Sequence, residues 1–351
     1  MYRPWFVALL LLGLTRPAPA QTASPASPMP WTLASGDFTI FGHTDYTLTV
    51  TLLPRIVFDT ARAVDSLRTV DSVRVARAAE VNGFTAGLSS WPADFYCDGV
   101  TSGTLQSLDP RALLGRVQLA ARCGVRLVMV PPRRMLTANG LANGIFSVDS
   151  AKRLTDRYAA VLPADTLRKY RSTIVGLNLA DDYSCTGCWG GRAITQTQVA
   201  AWAAYTRTML PGLPLGVRVT PDWVAAYPAL APLLDYTWAQ YHTGKGDAKT
   251  YYDRAATMAG RLGLRVVMGV NVEDCYGVGT EACRAADLVR FGTLAVNHPS
   301  SCAFINWRYD EATWQRSEVR AAWDQLLALA RSRPAEECRR LFALPSTDPA
   351  D

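Results

Sequence analysis

Two phrases far apart in the chain follow one grammar, and it restricts the fold more than any other feature. "IVGLNLADD", from Ile174 to Asp182, and "VVMGVNVED", from Val266 to Asp274, each place glycine, an apolar residue, asparagine and another apolar residue ahead of a pair of acids. In an extended chain successive side chains point to opposite faces. Val175, Leu177 and Leu179 then share one face, and Gly176, Asn178, Ala180 and Asp182 the other. In the second phrase Val266, Met268, Val270 and Val272 oppose Val267, Gly269, Asn271 and Glu273. Such a strand needs helices against its apolar face and an enclosed polar space against the other.

Strand-like runs at 83–89, 125–130, 173–180, 215–220, 236–241, 264–272 and 302–307 alternate with helix-like segments, the pattern of parallel βαβ units. Asp109 and Pro110 supply a cap and a first-turn proline for one helix, which closes on Gly124. Thr195 with Gln198 forms a capping box for another. Tyr251, Ala255, Met258 and Leu262 fall on one helical stripe. Polar residues at alternate strand positions (Asn178, Arg218, Asn271) disfavour an open doubly wound sheet, whose strands are apolar on both faces. The expected fold is a (β/α)8 TIM-type barrel with seven strands identified. The eighth is expected within 45–58 or 131–172.

The chain of 351 residues, 49% hydrophobic, is large enough for one such core. Residues 1–20 read as a secretory signal peptide, with Arg3 before an apolar run and Ala18-Pro19-Ala20 as the cleavage site. A Pro/Ala/Ser linker at 21–30 follows, then a segment of unassigned structure at 31–81, the barrel at 82–343 and a tail at 344–351. Eight cysteines, none in the leader, suit an oxidising compartment, so a secreted or periplasmic protein with disulfides is expected. Cys185–Cys188 and Cys275–Cys283 are the expected local staples. Cys302 with Cys338 is a plausible third pair, whereas Cys97 and Cys123 look badly placed for each other. The formal charge of +6 falls to +4 without Arg3 and Arg16, and the basic residues are scattered, which gives no nucleic-acid surface. No membrane association is expected once the leader is removed.

In a barrel the C-terminal strand ends form the functional face, and acids gather there: Asp181 and Asp182, Asp222, Glu273 and Asp274, and Asp310 with Glu311. Two carboxylates across a cavity are what glycosidic-bond cleavage requires, one as acid and one as nucleophile or base. Alternation selects Asp182 and Glu273 as inward-facing, with Asp274 just beyond the regular strand. Arg218 is suited to tuning these acids. Tryptophans at strand ends, among them Trp189 and Trp307, offer flat faces to sugar rings. Asn178, Gln240, Tyr241, Asn271, Arg308 and Asp310 complete the candidate binding set. Three histidines without H-x-H or H-E-x-x-H spacing disfavour a histidine-rich metal centre. No G-x-S-x-G elbow is present. Gly277, Gly279 and Ala282 match a dinucleotide-binding fingerprint only weakly, late in the chain between two cysteines. No metal or cofactor is expected.

The order of "GLNLADDYSC", "LGVRVTPDW", "YTWAQYH", "VVMGVNVEDCYG" and "CAFINWRYD" resembles secreted bacterial barrel proteins of the glycoside-hydrolase-like superfamily over roughly residues 82 to 330. The resemblance implies the barrel, a sugar-facing cleft, and acids at Asp182 and at Glu273 or Asp274. Asp182 stands where glutamate is usual in such barrels and has a shorter reach. The expectation is an exported glycoside-hydrolase-like barrel acting on a carbohydrate. The alternative is a barrel that binds a carbohydrate or a surface without catalysis.

Overall fold

The computed structural model describes residues 83–179, 181–279 and 281–340, together with two short strands, Phe38–Ile40 and Tyr46–Leu48. Those two strands pair antiparallel, Phe38 opposite Leu48, and fall in a compact unit of their own. The expected leader, linker and C-terminal tail lie outside the described residues.

The barrel strands are β1 (Ala86–Leu88), β2 (Gly103–Ser107), β3 (Arg126–Val130), β4 (Ile174–Asn178), β5 (Leu215–Gly216), β6 (Tyr236–Tyr241), β7 (Arg265–Val270) and β8 (Ser301–Asn306). They pair in parallel in chain order, and β8 closes on β1. The helices are α1 (Pro110–Arg122), α2 (Val148–Val161), α3 (Ala164–Lys169), α4 (Gln196–Met209), α5 (Pro221–Ala225), α6 (Ala248–Arg261), α7 (Ala285–Asn297), α8 (Glu311–Trp314) and α9 (Ser317–Arg331). The fold is therefore the expected eight-stranded parallel barrel.

The eighth strand is β2, in neither place expected. Its sequence, GTLQS, lacks apolar alternation because neighbouring backbone uses its polar side chains. Thr104 donates to the Leu88 carbonyl at 2.6 Å, and Ser102 just before the strand donates to that of Phe84 at 3.0 Å. Gly87 faces Gly103 so closely that a Cβ on Gly87 would lie 1.5 Å from the Gly103 carbonyl oxygen. Residues 131–172 instead supply α2 and α3.

Leu105, Val128, Tyr236, Trp238, Val267, Ala303 and Ile305 fill the barrel, while Leu127, Met129, Leu177, Val266, Met268, Val270 and Phe304 pack outward on the helices. Alternation holds throughout β7. In β4 the register against β3 slips between Ile174 and Gly176, and this bulge turns Val175 inward, against expectation. The caps of α1 and α4 form as read, the latter a complete capping box. On α6 the buried stripe is Ala248, Tyr252, Ala255, Ala256 and Ala259, one position round from the stripe expected. Small alanines let the helix approach the sheet, where the Tyr252 hydroxyl donates to the Gly269 carbonyl at 2.9 Å.

All eight cysteines are paired: Cys97–Cys123, Cys185–Cys188, Cys275–Cys283 and Cys302–Cys338. Cys97 and Cys123 are well placed after all, with Cα atoms 4.6 Å apart. Instead of a helix, the chain after β1 forms a 3-10 turn, Ala93–Asp98, on its way back to the start of β2. That return path brings Cys97 to the C-terminal end of α1, where Cys123 is the cap.

Candidate functional site at the barrel mouth

Above the apolar filling, the inward positions become polar. Asn178 ends β4 fully buried, and neither atom of its amide finds a hydrogen-bond partner among the described residues. Arg218, just beyond β5, lies with its guanidinium 4.0 Å from the ring centre of Trp307 and 5.6 Å from that of Trp238. These two cation–π contacts hold the arginine at the mouth. The Trp238 indole donates to Gln240 Oε1 at 2.9 Å, which leaves the buried Gln240 Nε2 unpartnered. Gln240 thus faces inward. Tyr241 faces the helices, its hydroxyl on the Gly246 carbonyl at 2.7 Å and its ring against Tyr251, Tyr252 and Phe291.

The two aspartates after β4 exchange the places that alternation predicts. Asp182 has φ of 54°, so the chain has left the extended conformation by this residue. Asp181 Oδ1 accepts from the Asp182 amide at 2.9 Å, and Oδ2 meets Arg218 Nη1 at 2.5 Å. Burial raises the Asp181 carboxyl above the ordinary 3.8, with Arg218 opposing and the Asp182 charge adding to the rise. Asp182 stands at the rim, its side chain about half exposed and paired with Arg133 Nη2 at 2.7 Å. Arg133 in turn lies 5.2 Å over Trp189. Trp189 is buried, with its indole donating to the Asp182 carbonyl at 3.0 Å, so it braces the loop and offers no open ring.

After β7, Glu273 meets Arg308 through two contacts, Oε2 to Nε at 3.1 Å and Oε1 to Nη2 at 3.2 Å. Asp274 turns back into its own loop, its Oδ1 accepting from the Gly279 amide at 2.9 Å while its amide donates to Asn271 Oδ1 at 3.1 Å. Asn271 and Asp274 therefore shape the loop stapled by Cys275–Cys283. Asp310 caps α8 by accepting from the Thr313 amide at 2.8 Å, and Glu311 accepts from the Tyr309 hydroxyl at 2.6 Å.

The mouth brings together Asn178, Asp181, Arg218, Gln240, Glu273, Trp307 and Arg308. Tyr241, Asp310 and Trp189 have structural partners instead. Sequence reasoning missed Arg133, whose only signal is an arginine pair just past β3. Among the described residues no group of three His, Cys, Asp or Glu side chains is arranged to hold a metal ion, and no helix is long and apolar enough to cross a membrane.

No family model matches the chain, and no curated protein matches it. Solved structures similar to it include glycoside hydrolases at low identity. One is a GH18 chitinase from Pseudoalteromonas aurantia, 11% identical over 69% of this chain and 99% of that one, with a TM-score of 0.44. Another is the Pseudomonas stutzeri endoglucanase Cel5A in complex with cellobiose, 11% identical over 74% and 96%, with a TM-score of 0.49. A third is the catalytic domain of a mannanase from Streptomyces sp. SirexAA-E, 11% identical over 64% and 75%, with a TM-score of 0.43.

Proposed function

We propose that the barrel cleaves a glycosidic bond at its mouth, with Asp181 as general acid and Glu273 as nucleophile or base. The observation that carries this reading is the raised Asp181 carboxyl beyond β4, three strands round the barrel from the β7 acid Glu273 at the same end of the strands. A general acid must hold its proton at the working pH, and burial favours that. Arg218, held by Trp307 and Trp238, positions Asp181. The unpartnered amide nitrogen of Gln240 is suited to donate to a sugar hydroxyl. Asp182, chosen by alternation, remains the competing acid, and Asp274 the competing partner for Glu273. Four disulfides favour an oxidising, extracytoplasmic site of action, which mass spectrometry of the exported chain, beginning at Gln21, would support.

One observation favours the non-catalytic reading: Asp181, Asp182 and Glu273 each engage an arginine. The test is a screen of the purified protein against polysaccharides and aryl glycosides, with Asp181→Asn, Asp182→Asn and Glu273→Gln in parallel. Turnover lost with Asp181→Asn and Glu273→Gln supports the hydrolase. Binding of a glycan without turnover supports the binding barrel.

A further inference from the structure

We propose that a cleft on the outer side of the β3–α2 loop is an anion subsite, holding a carboxylate or sulfate group carried by the saccharide. The inference rests on the carbohydrate reading and names its substrate class as acidic. The cleft, of about 300 Å³, is lined by Arg134, Arg153 and Arg157 with Thr137, Ser150 and Met135. Three cationic side chains around one small space repel each other unless an anion shares it.

The protein's own carboxylates barely supply that anion. Arg134 Nη2 lies 3.5 Å from Asp109 Oδ2, and the same carboxylate is engaged by Arg111 through Oδ1 at 3.2 Å. Among the described residues Arg153 Nη2 donates to Ser150 Oγ alone, at 2.9 Å. Neither Arg153 nor Arg157 has a carboxylate within 4.0 Å among the described residues. The two stand one turn apart on α2, where like charges destabilise a helix. Guanidinium forks match the paired oxygens of carboxylates and sulfates.

The cleft adjoins the mouth through consecutive residues of one 3-10 turn, Arg133–Leu136. Arg133 reaches to Asp182 at the rim, whereas Arg134 turns into the cleft. Consecutive arginines of this turn thus face the rim and the cleft, and in this proposal a saccharide engaged at the mouth extends along the turn to the arginines.

The experiment is calorimetric titration of the full protein with a uronic-acid trisaccharide, a sulfated trisaccharide, their neutral counterpart and inorganic phosphate, repeated with the exposed pair changed, Arg153→Ala/Arg157→Ala. At low salt the protein is expected to bind at least one acidic trisaccharide about tenfold or more tightly than the neutral one, and the two acidic arms decide between carboxylate and sulfate. The double variant is expected to lose this preference with its affinity for the neutral sugar unchanged, and about 0.5 M salt to erase the preference in the parent. Equal binding of neutral and acidic sugars, or a preference that survives in the double variant, overturns the subsite and leaves the function reading standing. Phosphate binding as tightly as the acidic sugar overturns the assignment to a saccharide. Failure of the parent to bind any saccharide overturns both.

Discussion

Replacing Asp181 and Asp182 one at a time by asparagine separates two neighbours that the sequence alone ranks the other way. At Asp181 the side chain is 24% exposed and that of Arg218 is 11% exposed. Asparagine keeps a shape-matched acceptor for Arg218 but turns a charge-assisted hydrogen bond into a neutral one, a loss of about 1 kcal/mol. Opposing that loss, the raised carboxyl shows that burial penalises the Asp181 charge more than Arg218 rewards it. The net destabilisation at neutral pH is therefore expected to stay below about 2 kcal/mol. The sign of the pH dependence follows from the same shift. A folded-state value above the ordinary 3.8 means that this group's stabilising contribution is complete below about 3.8 and fades as pH rises through the raised value. The parent's advantage over Asp181→Asn should accordingly be largest in acid and shrink toward neutrality. If Asp181 donates the proton, its asparagine variant should lose roughly 10²- to 10⁴-fold in kcat, and the parent's activity should fall on the alkaline side as Asp181 ionises. Asp182 and Arg133 have side chains 49% and 34% exposed, so Asp182→Asn should cost only about 0–1 kcal/mol and leave kcat within about threefold. Urea melts from about pH 4 to 8 and initial rates on the best substrate of the screen measure both. Asp182→Asn losing as much activity as Asp181→Asn, or Asp181→Asn keeping more than about a tenth of the parent rate, would refute the reasoning.

The four disulfides close loops of sequence separation 3, 8, 26 and 36. Pairwise Cys→Ala changes at Cys185/Cys188, Cys275/Cys283, Cys97/Cys123 and Cys302/Cys338 should therefore cost about 1.7, 2.5, 3.5 and 3.8 kcal/mol in that order; a reversed order in chemical melts would count against the chain-entropy account. Asp235 accepts from Arg207 at 2.6 Å, from the Leu215 amide at 2.8 Å and from the Arg340 amide at 3.2 Å. Asp235→Ala strands all three donors and should cost about 3 kcal/mol or more, and a loss below about 1 kcal/mol would contradict it. A Cβ on Gly216 would lie 2.1 Å from the buried Tyr236 ring, whereas one on Gly115 in α1 meets nothing within 4 Å. Gly216→Ala should thus destabilise by about 1–3 kcal/mol and Gly115→Ala stabilise by about 0.5–1 kcal/mol, opposite signs that thermal melts can resolve.

What the sequence made legible, and what it hid, follows from how far each feature depends on distant chain. The inward and outward faces of β7 and the capping box of α4 are local patterns, and both form as read. β2 escaped notice because a pair of glycines and backbone-bound hydroxyls replace apolar alternation there. That acids stand at the mouth was legible from the strand ends. Their arginine partners were not, since Arg133 is 49 residues from Asp182 and Arg308 is 35 from Glu273, distances closed only by the barrel. The order of the two aspartates failed for a local reason that can be tested on its own. Alternation presumes extended backbone, and Asp182 has φ of 54°, a left-handed conformation that costs most L-residues about 1–2 kcal/mol and glycine almost nothing. Asp182→Gly should therefore leave stability within about 1 kcal/mol of the parent, the gain in backbone fit offsetting the loss of an exposed ion pair. Asp182→Val should cost about 2 kcal/mol or more, because a β-branched residue tolerates that conformation poorly. In an extended strand the order reverses, valine being favoured and glycine penalised. Chemical denaturation that finds the valine variant more stable than the glycine variant would mean that Asp182 continues β4, and the inward place would return from Asp181 to Asp182.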